Sequence, residues 1–217
     1  MYNKTVYFLI DCSGSMYGKR ADAVNIAMAK VVDEILPQVR KLKTNEVDLY
    51  FKVLGFTGAH RDKVFEIVPK TSLEDFMSWD PIDPEAFSGS TPTGAALQKV
   101  IEDLQGGDNH GEPDLNAVAP AIILISDGEP TDKDPTYEEM LECAVKGGPH
   151  EVKAFRKALR VALGISVEDK GRESLKKFGQ VSEKLEGISA YYDCSEAYVD
   201  ELARILMYVT MVASTKV

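Results

Sequence analysis

Three short, uninterrupted apolar runs, each closed by a polar turn, constrain this chain more than any other feature. Val6-Tyr7-Phe8-Leu9-Ile10 ends in Asp11 and a Ser/Gly turn, and Ala121-Ile122-Ile123-Leu124-Ile125 ends in Ser126-Asp127-Gly128; the third run covers residues 161–167. A strand with one wet face alternates apolar and polar side chains. A strand that is apolar throughout is covered on both faces, as in a parallel sheet flanked by helices. Residues 48–56 alternate more and are expected nearer an edge. Residues 63–68, charged at the start and closed by Pro69, read as an edge strand. Residues 189–194 form a last strand.

Helical patterns fill the gaps. Val24, Met28, Val31, Ile35, Val39 and Leu42 make one apolar stripe, and Pro37 is expected to kink that helix or end it early. A second helix is predicted from Thr91 as N-cap, with Pro92 at the first helical position, to about Leu104. A third lies between residues 136 and 159, broken at Gly147-Gly148-Pro149. A fourth covers residues 172–185, and a last carries Val199, Leu202, Leu206, Val209 and Ala213 on one face. Residues 71–89 and 105–120 read as loops, the first pinned by Trp79 and Phe87. Strands alternating with helices imply a doubly wound α/β fold with helices on both faces of a central sheet. With no repeat and no linker, residues 1–217 are expected to form a single domain.

Composition narrows the function. Of 217 residues, 44% are hydrophobic and 28% charged, which suits a substantial core, and the formal net charge is −10. That charge disfavours nucleic acid and anionic membrane, both of which want Lys and Arg. It suits a cation or a basic surface. The three cysteines, Cys12, Cys143 and Cys194, are scattered and odd in number, so neither a disulfide framework nor a zinc cluster is expected. Residues 6–10 are too short for a signal-peptide core, and the apolar tail at residues 205–213 is under half a membrane span. The expectation is a cytoplasmic protein.

Sites in open α/β sheets form where the carboxyl ends of strands meet the loops. Asp11-Cys12-Ser13-Gly14-Ser15 falls there, as do Gly89-Ser90-Thr91-Pro92-Thr93-Gly94 and Asp127-Gly128-Glu129. Together they offer two carboxylates and three hydroxyls. Oxygen-only coordination selects Mg²⁺, Mn²⁺ or Ca²⁺ over zinc. Neutral hydroxyl ligands leave a dication short of negative charge, so a carboxylate from another molecule is expected to complete it. Each segment alone is equally an ordinary turn or helix start; their order along the chain is what joins them.

The phrase DCSGSM after an apolar strand resembles the DxSxS metal-ion-dependent adhesion motif of von Willebrand factor A domains. GSTPTGAAL resembles that family's threonine loop, and LISDGEPTD its aspartate loop. The resemblance runs from about residue 4 to residue 213. It implies a mostly parallel sheet with one short antiparallel edge strand, for which residues 63–68 fit. It also implies a metal site of Asp11, Ser13, Ser15, Thr91 and Asp127, with no catalytic residue. The wording between these ligands is most similar to stand-alone bacterial proteins of tellurium-resistance (stress-response) systems, which implies a kinase or phosphatase as partner. The expected function is therefore metal-dependent protein binding, in which a partner's Glu or Asp meets the metal. Residues 17–20, 57–62, 129–135 and 167–172 are candidates for the surrounding recognition loops.

Two other readings stand beside it. A metal-dependent phosphatase with Asp11 as nucleophile wants a second carboxylate two residues on, where Ser13 stands. A scaffold with a vestigial site needs none of the five oxygens. A serine nucleophile is not expected, since Gly14-Ser15-Met16-Tyr17-Gly18 misses the GxSxG elbow. His60, His110 and His150 read as solvated loop residues. Cys12 is expected to point away from the site as a buried thiol. Gly106, Asp108, Asn109 and Asp114 miss the calcium-loop spacing and read as a connector.

Overall fold

The computed structural model describes residues 2–42, 47–106, 117–181, 187–194 and 198–215, without the side chains of Tyr198, Val199 and Thr215. Asp108, Asn109, Asp114, His110, the end of the fourth predicted helix and the Val199 side chain lie outside the described residues.

The six strands are β1 (Tyr2–Asp11), β2 (Val47–Phe56), β3 (Val64–Ser72), β4 (Ala121–Ser126), β5 (Leu159–Gly164) and β6 (Tyr191–Asp193). They form one sheet in the order β3-β2-β1-β4-β5-β6. Every neighbouring pair is parallel except β2 with β3. The fold is thus the doubly wound α/β class expected, with its antiparallel strand at the edge. That strand runs on through Pro69 to Ser72, longer than the predicted 63–68, and its register with β2 slips between Val53 and its neighbours. An edge strand and a register irregularity both accommodate a residue without an N–H.

Helices cover both faces. Residues of α1 (Lys19–Lys30), α2 (Leu36–Leu42) and α7 (Tyr198–Thr215) pack with Val6, Phe8 and Ile10 of β1. Residues of α3 (Thr93–Leu104), α5 (Lys153–Lys157) and α6 (Asp169–Phe178) pack with Tyr7 and Leu9 from the opposite side, beside the short α4 (Tyr137–Glu142). Alternate residues of one apolar strand feed two cores, the physical meaning of a run with no polar interruption.

Several boundaries differ from the sequence reading. The first long helix does not end at Pro37: a π turn at Val31–Ile35 links α1 to α2, and the Leu36 N–H reaches Val31 O. The wider turn takes up the residue whose ring and missing N–H would otherwise break the ladder. The third predicted helix is broken as expected but over a wider stretch, leaving only α4 and α5. Thr136 starts α4 with a full capping box to Glu139. The fourth begins at Asp169 and stops at Phe178, because Gln180 turns away to exchange backbone hydrogen bonds of 2.8 Å with Arg160.

The strand order reverses between β1 and β4. One neighbour chain leads off to the left and the other to the right, so a crevice opens at their carboxyl ends. Asp11 ends β1, and Asp127 follows β4.

Candidate metal centre

Asp11 has no exposed surface. The parallel register that sets Ile10 beside Ile125 brings Ser126 next to it. Ser126 Oγ donates to Asp11 Oδ2 at 2.6 Å, and the Ser13 N–H donates to Oδ1 at 2.8 Å. Burial pushes the Asp11 carboxyl up to about 6; the hydrogen bonds from Ser126 and Ser13 pull it back, and nearby Asp127 adds to the rise. Ser126 was not among the expected site residues. Its signal was its place at the end of a buried strand, where a hydroxyl needs a partner.

After Asp11 the chain makes a 3-10 turn at Gly14–Met16, anchored by the fully buried Met16. The turn places Ser13 Oγ 3.1 Å from Ser15 Oγ, which donates to Asp127 Oδ1 at 2.8 Å. Arg20, in the first turn of α1, forms an ion pair with Asp127 Oδ2, and its Nη1 donates to Ser15 O at 2.7 Å.

The Thr91 loop is stitched between the others. Ser88 N–H donates to Cys12 O at 2.9 Å, Gly14 N–H to Gly89 O at 3.0 Å, and Gly58 N–H to Ser90 O at 2.9 Å. Gly89 has φ 76°, and a β-carbon there would meet Ala59 N at 2.6 Å, so only glycine fits. On the other side, Thr91 N–H donates to Thr131 Oγ1 and Thr131 N–H to Thr91 O, both at 2.9 Å.

Thr91 is not the N-cap that the sequence suggested. The helix starts at Thr93, with Pro92 in the flanking position and no side-chain cap of its own. The free amides of its first turn are taken by Asp132, whose carboxylate accepts from Gly94 N–H at 2.8 Å and Ala95 N–H at 3.2 Å. A residue distant in sequence thus does the capping. The Thr91 hydroxyl is left without a protein partner among the described residues, although Thr91 is only 5% exposed. It faces Gly128, 3.6 Å from where a β-carbon there would stand.

The structure therefore brings all five predicted residues to one end of the sheet. Asp11 is held by its neighbours, Ser13, Ser15 and Asp127 are linked by their side chains, and Thr91 is held by its backbone. Among the described residues there is no cluster of three or more His, Cys, Asp or Glu. A metal site in these residues must be completed by hydroxyls, and this donor set, with a Thr91 hydroxyl that no described protein group engages, fits a hard dication.

Cys12 is fully buried in the core on the α1 side, and burial pushes its thiol up to about 12. His60 is exposed and packs its ring against Phe65, and His150 is exposed in a loop. Tyr17, in one of the expected recognition loops, is 64% exposed beside the site. A cavity of about 510 Å³ lies at the opposite end of the sheet, lined by Asn3, Thr5, Asp103 and Lys157 among others, and includes none of the five.

The von Willebrand factor type A domain profile matches residues 5–184, and the chain belongs to this family. Its domains bind protein ligands and are usually non-catalytic. The chain is 31% identical over 128 residues to human inter-alpha-trypsin inhibitor heavy chain H2, a match covering 59% of this chain and 12% of that protein. It therefore spans about an eighth of the curated relative's length. Among solved structures, proximal thread matrix protein 1 from the mussel byssus, with a zinc-occupied MIDAS motif, superposes with TM-score 0.64 at 18% identity, covering 100% of this chain and 49% of that one. A von Willebrand factor type A protein from Catenulispora acidiphila gives 0.59 at 14% identity, covering 98% and 43%. Both show likeness of fold. No helix among the described residues is long and apolar enough to cross a membrane.

Proposed function

We propose that this chain is a metal-dependent protein-binding module. Asp11, Ser13, Ser15, Thr91 and Asp127 hold one divalent cation, Mg²⁺ or in its place Mn²⁺ or Ca²⁺, and a partner protein supplies a Glu or Asp to it. The observation that carries this reading is the convergence of three loops at the β1/β4 crevice, where the hydroxyl of Thr91, a residue only 5% exposed, has no protein partner among the described residues and faces the Asp127 loop. A bound dication would supply a Lewis-acid anchor for the partner's carboxylate. The chain's own residues do the rest. Ser126 and Ser13 fix the orientation of Asp11, Ser15 fixes Asp127, the Thr131 contacts hold Thr91 in place, and Asp132 caps the helix that follows it. Tyr17 offers an exposed aromatic contact at the rim.

No turnover is expected of this site. Phosphoryl transfer through Asp11 would want a second acid or base at residue 13, and that residue is Ser13, whose hydroxyl is engaged with Ser15. The phrases YFLIDCSGSMYG, GSTPTGAAL and LISDGEPTD support a place in a bacterial stress-response system of the tellurium-resistance type. The partner would then be a cytoplasmic kinase or phosphatase of that system.

Calorimetric titration with Mg²⁺, Mn²⁺, Ca²⁺ and Zn²⁺, wild type against Asp11→Ala, tests the site. One binding event in the wild type and none in the variant is expected. Equal affinity in both overturns the assignment. Capture of partners with and without a chelator then tests whether binding runs through the metal.

A further inference from the structure

Arg20 lies outside the five-oxygen set, yet it touches that set twice. Its Nη1 pairs with Asp127 Oδ2 and donates to the backbone of Ser15 at 2.7 Å. Asp127 is thereby held from both sides: Ser15 Oγ donates to Oδ1 at 2.8 Å from within, and Arg20 takes Oδ2 from without. The Asp127 side chain is 1% exposed, whereas that of Arg20 is 30% exposed. Both contacts run through Nη1, and among the described residues Nε and Nη2 have no protein acceptor. A guanidinium presents five donors in a planar fork suited to two carboxylates at once.

We propose that Arg20 is the specificity-determining residue of this site, selecting a carboxylate ligand by charge and by a second hydrogen-bonding contact. The inference rests on the metal-binding reading above. Counted as net charge, Asp11 and Asp127 together can offset a dication, so the shortfall left by its neutral hydroxyl ligands is small unless one of the two carboxylates is engaged elsewhere. Pairing Asp127 with Arg20 leaves one positive charge uncompensated at the loaded site, which matches a single carboxylate. The free edge of the guanidinium then takes the ligand oxygen that the metal does not. The same positive charge works against the metal itself. Arg20 therefore exchanges affinity for the cation against affinity for the anion, and both effects are screened by the exposure of its side chain.

The opposite signs make the test. Mn²⁺ is titrated calorimetrically into wild type, Arg20→Gln and Arg20→Lys. Acetate is then titrated into each Mn²⁺-loaded protein while water-proton relaxation reports displacement of metal-bound water. Arg20→Gln is expected to bind Mn²⁺ about tenfold more tightly, the size of one close charge interaction at a half-wet site, and to need at least several-fold more acetate. Arg20→Lys keeps the charge and loses the fork, so its Mn²⁺ affinity should stay near wild type while its acetate response weakens. Circular dichroism checks that all three are folded alike. Unchanged or weaker Mn²⁺ binding in Arg20→Gln overturns the proposal, as does an acetate response equal to wild type in both variants. A wild-type protein that binds no Mn²⁺ fails the metal-site reading itself, and that failure is visible before any variant is compared.

Discussion

At the scale of single residues, the site is built from groups that the fold holds at a cost. Asp11 is a carboxylate with no exposed surface, raised to about 6 by burial against an ordinary value of 3.8. Because the folded value lies above the unfolded one, the native state binds the extra proton between those two values. Stability from this group is present below pH 4 and lost as pH rises through 6. At neutral pH the metal-free protein therefore carries a buried anion that the Ser126 and Ser13 hydrogen bonds offset only in part and that a cation would relieve further. Asp11→Asn keeps the shape and removes the charge. The metal-free variant should be more stable than wild type at pH 7, on the order of 1–3 kcal/mol, with no such gain at pH 3.5. Added Mn²⁺ should raise the wild-type melting temperature and leave the variant unmoved. Denaturant titrations at the two pH values check the first half, and thermal melts with Mn²⁺ the second. A variant no more stable than wild type at pH 7 would contradict the burial argument.

At the scale of elements, the unit that matters is the pair formed by the start of α3 and the loop after β4. Thr91 and Thr131 exchange backbone and side-chain hydrogen bonds, and Asp132 closes the first turn of the helix. A β-carbon on Gly94 would meet the backbone of Pro135 and Thr136 at 2.5 and 2.9 Å, so the two segments pack as closely as backbones allow. Sequence pattern located this helix but misassigned its cap, because Thr-Pro is a common helix opening and the true cap lies 38 residues away from its Gly94 amide. The misassignment has a measurable consequence. Asp132→Ala should lose about 0.5–2 kcal/mol of stability as a missing cap and should also weaken metal binding, since Thr91 is held by the same loop. Thr91→Val, nearly isosteric, should leave stability almost unchanged while lowering metal affinity, because its hydroxyl has no protein partner. Urea unfolding and Mn²⁺ titration of both variants separate the two roles. A Thr91→Val protein destabilised like Asp132→Ala would restore Thr91 as the cap.

At the scale of the whole molecule, burial that makes the double-sided core also fixes its response to alkali. Burial pushes the thiols of Cys12 and Cys194 up to about 12 and raises the Tyr137 hydroxyl as well. From an ordinary thiol value of 9.0 upward, the unfolded chain loses these protons and the folded one keeps them. Their contribution is complete below pH 9 and declines as pH climbs toward 12. Lys4, lowered to about 8 by burial, works the other way: the folded state gains stability as pH rises from about 8 toward 10.5. One amine against two thiols and a phenol predicts a rise from about pH 8 to a maximum near 9 and a steep fall above about 10. Urea midpoints across that range check it, and a Cys12→Ala/Cys194→Ala protein should show the shallower decline. An undiminished slope in that variant would assign the alkaline loss to other groups.

What the sequence determined by itself was whatever depends on neighbours along the chain. Apolar runs without alternation require cover on both faces, so the parallel sheet and its two helical layers were legible in Val6-Tyr7-Phe8-Leu9-Ile10 and Ala121-Ile122-Ile123-Leu124-Ile125. Asp11, Ser13 and Ser15 are close in the chain, and a turn after such a strand must carry them to the sheet's carboxyl end. Tertiary structure decided what depends on register and on loops crossing. Ser126 reaches Asp11 only because Ile10 pairs with Ile125. Arg160, within a strand, satisfies backbone carbonyls of Phe155 and Phe178 at the ends of two helices, a role with no local signature. Asp132 caps a helix that precedes it by a whole strand, and Arg20 finds Asp127 across the crevice. Periodicity records which face a side chain takes. It carries no record of which distant group meets that side chain there, because hydrogen bonds are short-ranged and directional and are settled only when the packed cores have fixed the loops.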